Sequence, residues 1–507
     1  MTTPSEKLAE SLKILREFQD KNSVAIQTSA LTRTHRERLL KNGFLQQVMK
    51  GWYIPSRPDE AAGDSTSWYA SYWSFCSSYL NARFGTDWCL SPEQSLRLHV
   101  GNKSVPHQLL VRSTKARNSV TNFVHGTSLL DVRYSMPDKN ESEEIENLRV
   151  YSLIPALLGC APGYFKQNPT DMRAALSMVR DASDVLDRLL EGGHSTIAGR
   201  LAGAFRNIGR DKIADDILQT MRVADYDVRE NDPFEERSPL ILPARETSPY
   251  VNRIRIMWQE MRGTIIENFP KAPGLPDDKK SYLKNVEEQY IADAYHSLSI
   301  EGYRVNKELI ERVQSGSWNP DLSAEDRAHR DALAARGYWQ AFQTVEQSLE
   351  KILQGKNPGK ILNADHGAWY REIFAPSVTA GILKPADLAG YRNGPVYIRR
   401  SMHVPPNKEA VRDLMPAFFD LLAEEENPAV RVVLGHFVFV YIHPYIDGNG
   451  RMGRFLMNVM LASGGYPWSI ITVDQRDTYM SALEEASVNQ NIAPFTDFLA
   501  KLLNNEM

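Results

Sequence analysis

The sequence predicts a mainly α protein, with a long helical C-terminal half preceded by a smaller domain that mixes helix and strand. Three observations carry that reading. From Pro249 onward, apolar residues recur at helical spacing over long stretches. Near the N-terminus a short basic helical pattern is followed by two short strand patterns around a Lys-Gly turn. The length of 507 residues exceeds the roughly 250–300 at which a single core stops growing, so several domains are expected. A charged fraction of 24% and a hydrophobic fraction of 42% belong to globular proteins, and a net charge of −4 excludes neither nucleic acid nor acidic ligands. Cys76, Cys89 and Cys160 lack C-x-x-C spacing, which argues against a disulfide framework or a zinc site and fits a reducing compartment. The polar start, Met-Thr-Thr-Pro-Ser-Glu-Lys, and the lack of an apolar run of the ~20 residues that a spanning helix needs predict a cytoplasmic protein with no membrane partner.

The first 150 residues read as one domain. Within Ser29–Pro55 a basic helix should end at Gly43, which suits the left-handed position after a helix. Two short strands, Phe44–Val48 and Trp52–Ile54, should follow, joined through Lys50-Gly51. Arg33, Arg36, Arg38 and Lys41 stand against the single acid Glu37, the charge balance of a helix that meets phosphates, although a solvated helix face has the same composition. The stretch from Leu39-Leu40-Lys41-Asn42-Gly43 through Gly51-Trp52-Tyr53 to Ser91-Pro92-Glu93-Gln94-Ser95-Leu96 resembles the winged-helix, antitoxin-type regulators of bacterial abortive-infection systems. The resemblance covers residues 1–150 and implies a winged-helix module that binds DNA through those four basic residues. Trp68, Tyr69, Tyr72, Trp73, Cys76 and Tyr79 then recur at helical spacing, a stripe expected in the core rather than stacked on bases.

Residues 151–224 read as a helical spacer of several amphipathic helices, with turns at Gly192-Gly193 and Gly209 and nothing catalytic. Residues 225–249 turn acidic and proline-rich, the composition of an exposed linker. A helical region at 250–355 and a domain at 356–507 follow. Helices are expected at Asn252–Asn268, Asp277–Leu298, Ala324–Lys351, Lys408–Glu425 and Pro428–Tyr441.

The chemistry concentrates in His443-Pro444-Tyr445-Ile446-Asp447-Gly448-Asn449-Gly450-Arg451-Met452-Gly453-Arg454. Asn427-Pro428 is a strong helix start, and Leu434, Phe437, Val438 and Tyr441 keep the spacing of a buried helix that delivers His443 at its end, where Pro444 stops it. The turn at Asp447–Gly450 leads into a second helix from about Arg451 to Ala462. Free amides and the positive dipole end of that helix form an anion site, which two glycines let phosphate oxygens approach closely. Arg451 and Arg454 share one helix face and can grip the same polyphosphate, Asp447 is a hard oxygen ligand for Mg²⁺, and His443 can take a proton from an attacking hydroxyl.

This stretch resembles the Fic family signature, His-Pro-Phe-x-Asp/Glu-Gly-Asn-Gly-Arg-x-x-Arg, with Tyr445 in place of the usual Phe. The resemblance spans roughly Asp277 to Leu503 and implies a helical Fic fold with a small β-hairpin flap that transfers AMP from ATP to a Ser, Thr or Tyr hydroxyl of a target protein, the chain itself among the candidates. It also implies roles: His443 as base, Asp447 as Mg²⁺ ligand, Gly448, Asn449 and Gly450 as phosphate cradle supported by Arg451, and Arg454 as anchor of the γ-phosphate. Members that phosphorylate their targets carry Asn-Lys where this chain has Asn449-Gly450, so Gly450 favours AMP transfer; phosphocholine transfer leaves this motif unchanged.

Three further segments resemble family features. Gly390–Ile398, with Met402-His403-Val404-Pro405-Pro406, resembles the flap that registers the target peptide by strand addition, through Val396, Tyr397, Ile398, Met402 and His403. The same residues also read as an ordinary hairpin. Tyr479 lies in a segment resembling the closing helices, where it faces either adenine or the core. Ser297-Leu298-Ser299-Ile300-Glu301-Gly302 resembles the inhibitory motif Ser/Thr-x-x-x-Glu-Gly/Asn. It implies that Ser297 and Glu301, one turn apart and closed by Gly302, hold the enzyme off through Arg454. The same site can run in reverse as a de-adenylylase. A rival reading is an ATP-sensing, DNA-binding regulator or a fused toxin–antitoxin-like unit, with a homodimer expected if the DNA site is palindromic.

Overall fold

The structure is a computed structural model and describes residues 3–20, 24–58, 60, 63–235, 248–316 and 330–506. The chain forms two compact units, one of residues 1–253 with Tyr397–Val404 and one of Ile254–Val396 with Pro405–Met507.

The first unit begins with α1 (Pro4–Asp20), β1 (Ile26–Gln27), α2 (Arg33–Lys41), β2 (Leu45–Met49) and β3 (Trp52–Pro55). Thr32 starts α2 by accepting the His35 N–H, and Gly43, at φ 74°, turns the chain into β2. The strands form an antiparallel sheet in the order β1-β3-β2, with Ile26 opposite Tyr53 and Gln46 opposite Ile54. Leu15, Ile26, Leu31, Leu39, Leu45 and Tyr53 close one small core beneath it. The expected strands are present within one residue of their sequence boundaries, and the helix ends at Lys41, two residues before Gly43.

Next come α3 (Thr66–Phe84), β4 (Cys89–Leu90), α4 (Pro92–His99), β5 (Gln108–Ser113), β6 (Ser119–Asn122) and β7 (Ser128–Arg133), with a sheet in the order β4-β5-β7-β6 in which β5 and β7 run parallel. The aromatic stripe of α3 is core: Trp68, Tyr72 and Cys76 are fully buried, and Trp68 meets Phe75 and Phe123 edge to face. A hairpin of β8 (Ser142–Ile145) and β9 (Leu148–Tyr151) precedes six helices, α5 (Leu153–Gly159), α6 (Tyr164–Gln167), α7 (Pro169–Met178), α8 (Ser183–Gly192), α9 (Ser195–Asn207) and α10 (Asp211–Val223). Gly193 and Gly209 take positive φ at the predicted turns. All three cysteines are free and buried. Of the expected linker, residues 236–247 lie outside the described residues.

The hairpin flap expected between Gly390 and Pro406 is corrected: none of residues 390–406 is in a strand. Pro395, Pro405 and Pro406 supply no amide for a ladder, and other bonds take several of the remaining backbone groups. Within the first unit, Met402 C=O accepts the Val105 N–H at 2.8 Å and the Arg400 N–H donates to Thr66 Oγ1 at 3.0 Å. Arg399 Nε donates to the buried Asp64 at 3.1 Å. The Ile398 carbonyl accepts the Ser401 N–H at 3.2 Å across a turn, Met402 and His403 are buried, and Tyr397 is exposed.

The second unit is helical: α11 (Pro249–Asn268), α12 (Lys279–Ile300), α13 (Lys307–Gln314), α14 (Arg330–Leu353), α15 (Pro358–Thr379), α16 (Lys408–Glu424), α17 (Pro428–Ile442), α18 (Asn449–Gly464), α19 (Arg476–Val488) and α20 (Ala493–Glu506). The start of the helix expected at 324–351 lies outside the described residues. Asn427 caps α17 by accepting the Ala429 and Val430 amides, and the helix is buried on nearly every side, as an apolar helix at the centre of a bundle should be. α14 and α15 approach so closely that a Cβ on Gly337 would meet the Ile373 carbonyl. Glu425 ties α11 to the start of α17, accepting from Trp258 Nε1 at 3.1 Å, Arg262 Nε at 3.0 Å and the Asn427 N–H at 2.9 Å. No helix among the described residues is long and apolar enough to cross a membrane.

Candidate active site at the α17–α18 turn

His443 is the C-cap of α17, with φ 52° and ψ 60°, a left-handed conformation that costs a non-glycine residue on the order of 1–2 kcal/mol. Its N–H still bonds the Phe439 carbonyl at 3.0 Å, so the helix ends on the base itself. The half-buried imidazole lies with Nδ1 3.2 Å from the Val440 carbonyl. A carbonyl only accepts, so Nδ1 carries the proton and Nε2 keeps its lone pair. Burial, joined by the charge of Arg392 and opposed by the Val440 bond, Glu301 and Asp447, holds the imidazole pKa down at about 4. The ring is therefore neutral at pH 7 and able to accept a proton.

The turn that follows is pinned by Asn449, whose Oδ1 accepts the Tyr445 N–H at 2.9 Å and whose Nδ2 donates to the Tyr445 carbonyl at 2.8 Å. That side chain is 2% exposed and committed to the turn, so Asn449 can enter a phosphate cradle only through its amide. Tyr445 fills the place of the usual Phe by stacking on Tyr370 of α15, with centroids 3.9 Å apart and planes 8° apart. Gly448, at φ 81°, turns the chain into α18. The first helical bond runs from the Met452 N–H to the Gly448 carbonyl, so the amides of Asn449, Gly450 and Arg451 precede the ladder and are available to an anion.

Two buried arginines complete the electropositive wall. Arg451, 1% exposed, lies 5.0 Å from the Phe374 ring and 5.2 Å from the Tyr303 ring, and its Nη2 stands 3.5 Å from Asp447 Oδ2. Arg454 donates from Nε to Ser297 Oγ at 2.9 Å and from Nη2 to the Ser297 carbonyl at 3.0 Å and to Glu301 Oε1 at 2.7 Å. Arg451 Nε and Nη2 and Arg454 Nη1 are buried without hydrogen-bond partners, a costly arrangement that a bound polyanion would relieve. Asp447, by contrast, is 60% exposed, and one of its oxygens accepts the Gly448 N–H at 2.6 Å. No cluster of three or more candidate metal ligands occurs among the described residues. A lone carboxylate fits Mg²⁺, which takes one or two carboxylates together with substrate phosphates and water.

Glu301 caps α12, and Gly302 follows at φ 86°. A Cβ on Gly450 would collide with Glu301 Oε1, so the carboxylate oxygen lies against the glycine that lets an anion approach α18. Burial works to raise the Glu301 pKa, but Arg454 and Arg451 outweigh it and hold the carboxyl below its ordinary range.

Of the two readings of Tyr479, the adenine contact is corrected and the core placement stands. Tyr479 is 1% exposed, its hydroxyl donates to His436 Nε2 at 2.8 Å, and its ring packs against Phe495 and Phe498. The His436 imidazole is pushed down to about 4 by burial, and its Nδ1 donates to the Gly453 carbonyl, which fixes Nε2 as the acceptor. Sequence reasoning missed α15 as the site's wall, and it missed Arg392. The Arg392 Nε donates to the His443 carbonyl at 2.8 Å, and burial pushes its guanidinium pKa down to about 10. Its place after Gly390-Tyr391, in the segment assigned to the flap, was the only signal available.

At the other candidate surface, Arg33 is exposed and pairs with Glu37 at 2.7 Å. Arg36 lies over Tyr53, and Lys41 is exposed. Arg38 donates to the Lys7 carbonyl at 2.6 Å and to Ser11 Oγ at 2.8 Å, which makes it a tie between α1 and α2.

Comparison with known proteins gives the site a context. Residues 365–461 match the model of the Fic/DOC family. The chain is 29% identical over 254 residues to the protein adenylyltransferase Fic of Nematostella vectensis, which covers 49% of this chain and 55% of that protein. It is 31% identical over 217 residues to the protein of the same name from Drosophila willistoni, covering 42% of this chain and 40% of that protein. The chain thus spans about half the length of the curated relatives it matches. Among solved structures, Fic-1 from C. elegans is 19% identical, with a TM-score of 0.37 over 67% of this chain and 96% of that one.

Proposed function

We propose that the chain is a protein adenylyltransferase that moves AMP from ATP to a side-chain hydroxyl and is held off by Glu301. The observation that carries the proposal is the joint geometry of a neutral His443, with Nε2 free, and an α18 N-terminus flanked by unpartnered guanidinium nitrogens. His443 Nε2 takes the hydroxyl proton as the target oxygen bonds the α-phosphorus. The bond from that phosphorus to the bridging oxygen breaks, and diphosphate leaves against the Gly450 and Arg451 amides, with Arg454 on the γ-phosphate. When bound, Mg²⁺ on Asp447 would neutralise phosphate charge. The bond from Glu301 Oε1 to Arg454 Nη2 supports the inhibitory role, because the carboxylate holds the donor that the γ-phosphate requires.

The experiment is intact-mass analysis of the Glu301→Gly protein after incubation with ATP and Mg²⁺. An added mass of one AMP, absent when His443→Ala is combined with it, supports the proposal. An unmodified protein, or modification that survives His443→Ala, overturns it.

For the first unit we infer a winged-helix role in DNA binding, with Arg33, Arg36 and Lys41 as the basic residues left to contact phosphates once Arg38 is committed to α1.

A further inference from the structure

We propose that Arg392 is a positioning residue for the base, a clamp that holds His443, Gly394 and Pro406 in one hydrogen-bonded cluster; this rests on the adenylyl-transfer reading for its kinetic consequence, not for its geometry. Arg392 is 2% exposed, and its side-chain N–H groups donate to backbone carbonyl oxygens. Nε donates to the His443 carbonyl at 2.8 Å, Nη1 to the Gly394 carbonyl at 3.1 Å, and Nη2 to the Ile442 carbonyl at 3.4 Å and to the Pro406 carbonyl. Its own N–H donates to the Pro444 carbonyl at 2.9 Å.

These partners define what the residue does. Ile442 and His443 carry two of the C-terminal carbonyls that a helix leaves unsatisfied, and His443 leaves α17 in a left-handed conformation that its own side chain does not favour. Bonds to the carbonyls of Ile442, His443 and Pro444 hold the peptide planes on both sides of the base, so they set the direction in which the imidazole leaves the chain. Gly394 and Pro406 bracket residues 396–403, the ones assigned to target recognition, and one guanidinium bonds both. A planar fork with five N–H donors can serve carbonyls in several directions at once; a lysine ammonium, with three donors at one point, cannot.

The test compares Arg392→Lys and Arg392→Gln, each in the Glu301→Gly background, by self-incorporation of α-labelled ATP, ATP binding by calorimetry and thermal melting. NMR of labelled histidine, with His443→Ala to assign the signal, reads the His443 tautomer without requiring activity. A misplaced base predicts incorporation at saturating ATP lowered about 100-fold, with ATP affinity within about twofold and a cooperative melt retained. The His443 signal should change from one proton fixed on Nδ1 to a mixture of tautomers. Guanidinium ion added to Arg392→Ala should restore part of the rate. Unchanged incorporation and an unchanged His443 signal would overturn the proposal. So would loss of the cooperative melt in both variants, since Arg392 would then hold the unit together rather than aim the base. If the Glu301→Gly parent incorporates nothing, the adenylyl-transfer reading fails, while the His443 signal still decides the role of Arg392.

Discussion

Replacing Glu301 with glycine should convert a nearly silent protein into an active one, and the structure sets the scale. The carboxylate accepts from Arg454 Nη2 at 2.7 Å, in a pair whose side chains are 3% and 26% exposed. A hydrogen bond to a charged group is worth about 1.5–3 kcal/mol net, and partial exposure of Glu301 places this one toward the lower half. ATP must displace that contact before its γ-phosphate reaches Arg454. At about 1.4 kcal/mol per factor of ten, removing the competitor should raise productive ATP capture by roughly 10- to 40-fold. Without nucleotide, the variant leaves Arg454 buried with only Ser297 as partner, so its Tm should fall, and ATP with Mg²⁺ should raise that Tm more than it raises the parent's. Calorimetric ATP titration and incorporation of α-labelled ATP, run on both proteins, check the two halves. Equal affinity and equal incorporation within about twofold would refute the reasoning, because Glu301 would then not compete for the phosphate site.

The base makes a second prediction. Its pKa of about 4 means that Nε2 is protonated, and lost as a base, only as the pH falls through that value. The acidic limb of kcat/KM in the Glu301→Gly protein should therefore lie near pH 4, with the rate at pH 5.5 close to its plateau; a limb near 6.5 would contradict it. Glu425→Ala removes the acceptor shared by the buried Trp258 and the 37% exposed Arg262, and leaving the Trp258 N–H unpaired costs about 1–3 kcal/mol, read as a Tm lowered by several degrees in a thermal melt. Arg33→Ala with Arg36→Ala should weaken DNA binding and flatten its salt dependence, and unchanged gel shifts at two salt concentrations would remove the DNA role.

What could be read from the sequence was mostly local. Asn427-Pro428 announces α17 because capping needs only neighbouring residues, and the observed helix begins there. Pro444 likewise announces where the helix stops. Ser297 and Glu301 stand one helical turn apart, so their shared face was legible, and both now meet Arg454. Other features depend on tertiary approach. Tyr479 has one side that could face a base or the core, and its bond to His436, 43 residues away, settles the direction. Arg392 meets carbonyls 50 and 51 residues further along, which no local pattern encodes. α15 was missed because Gly359, Gly367 and Pro376 interrupt its helical pattern, although Gly359 allows a close approach to the Ala423 backbone. The flap was read from a family resemblance, whereas its prolines, its bonds to Val105 and Thr66 and the turn at Arg400 leave it without strands.

The most direct measurement is the fate of label from α-labelled and γ-labelled ATP in the Glu301→Gly protein, with His443→Ala in the same background as the blank. The account predicts that label from the α position stays with protein, label from the γ position leaves with diphosphate, and the His443 variant retains neither. Label retained from the γ position, or α-label retained without His443, would contradict adenylyl transfer by this site.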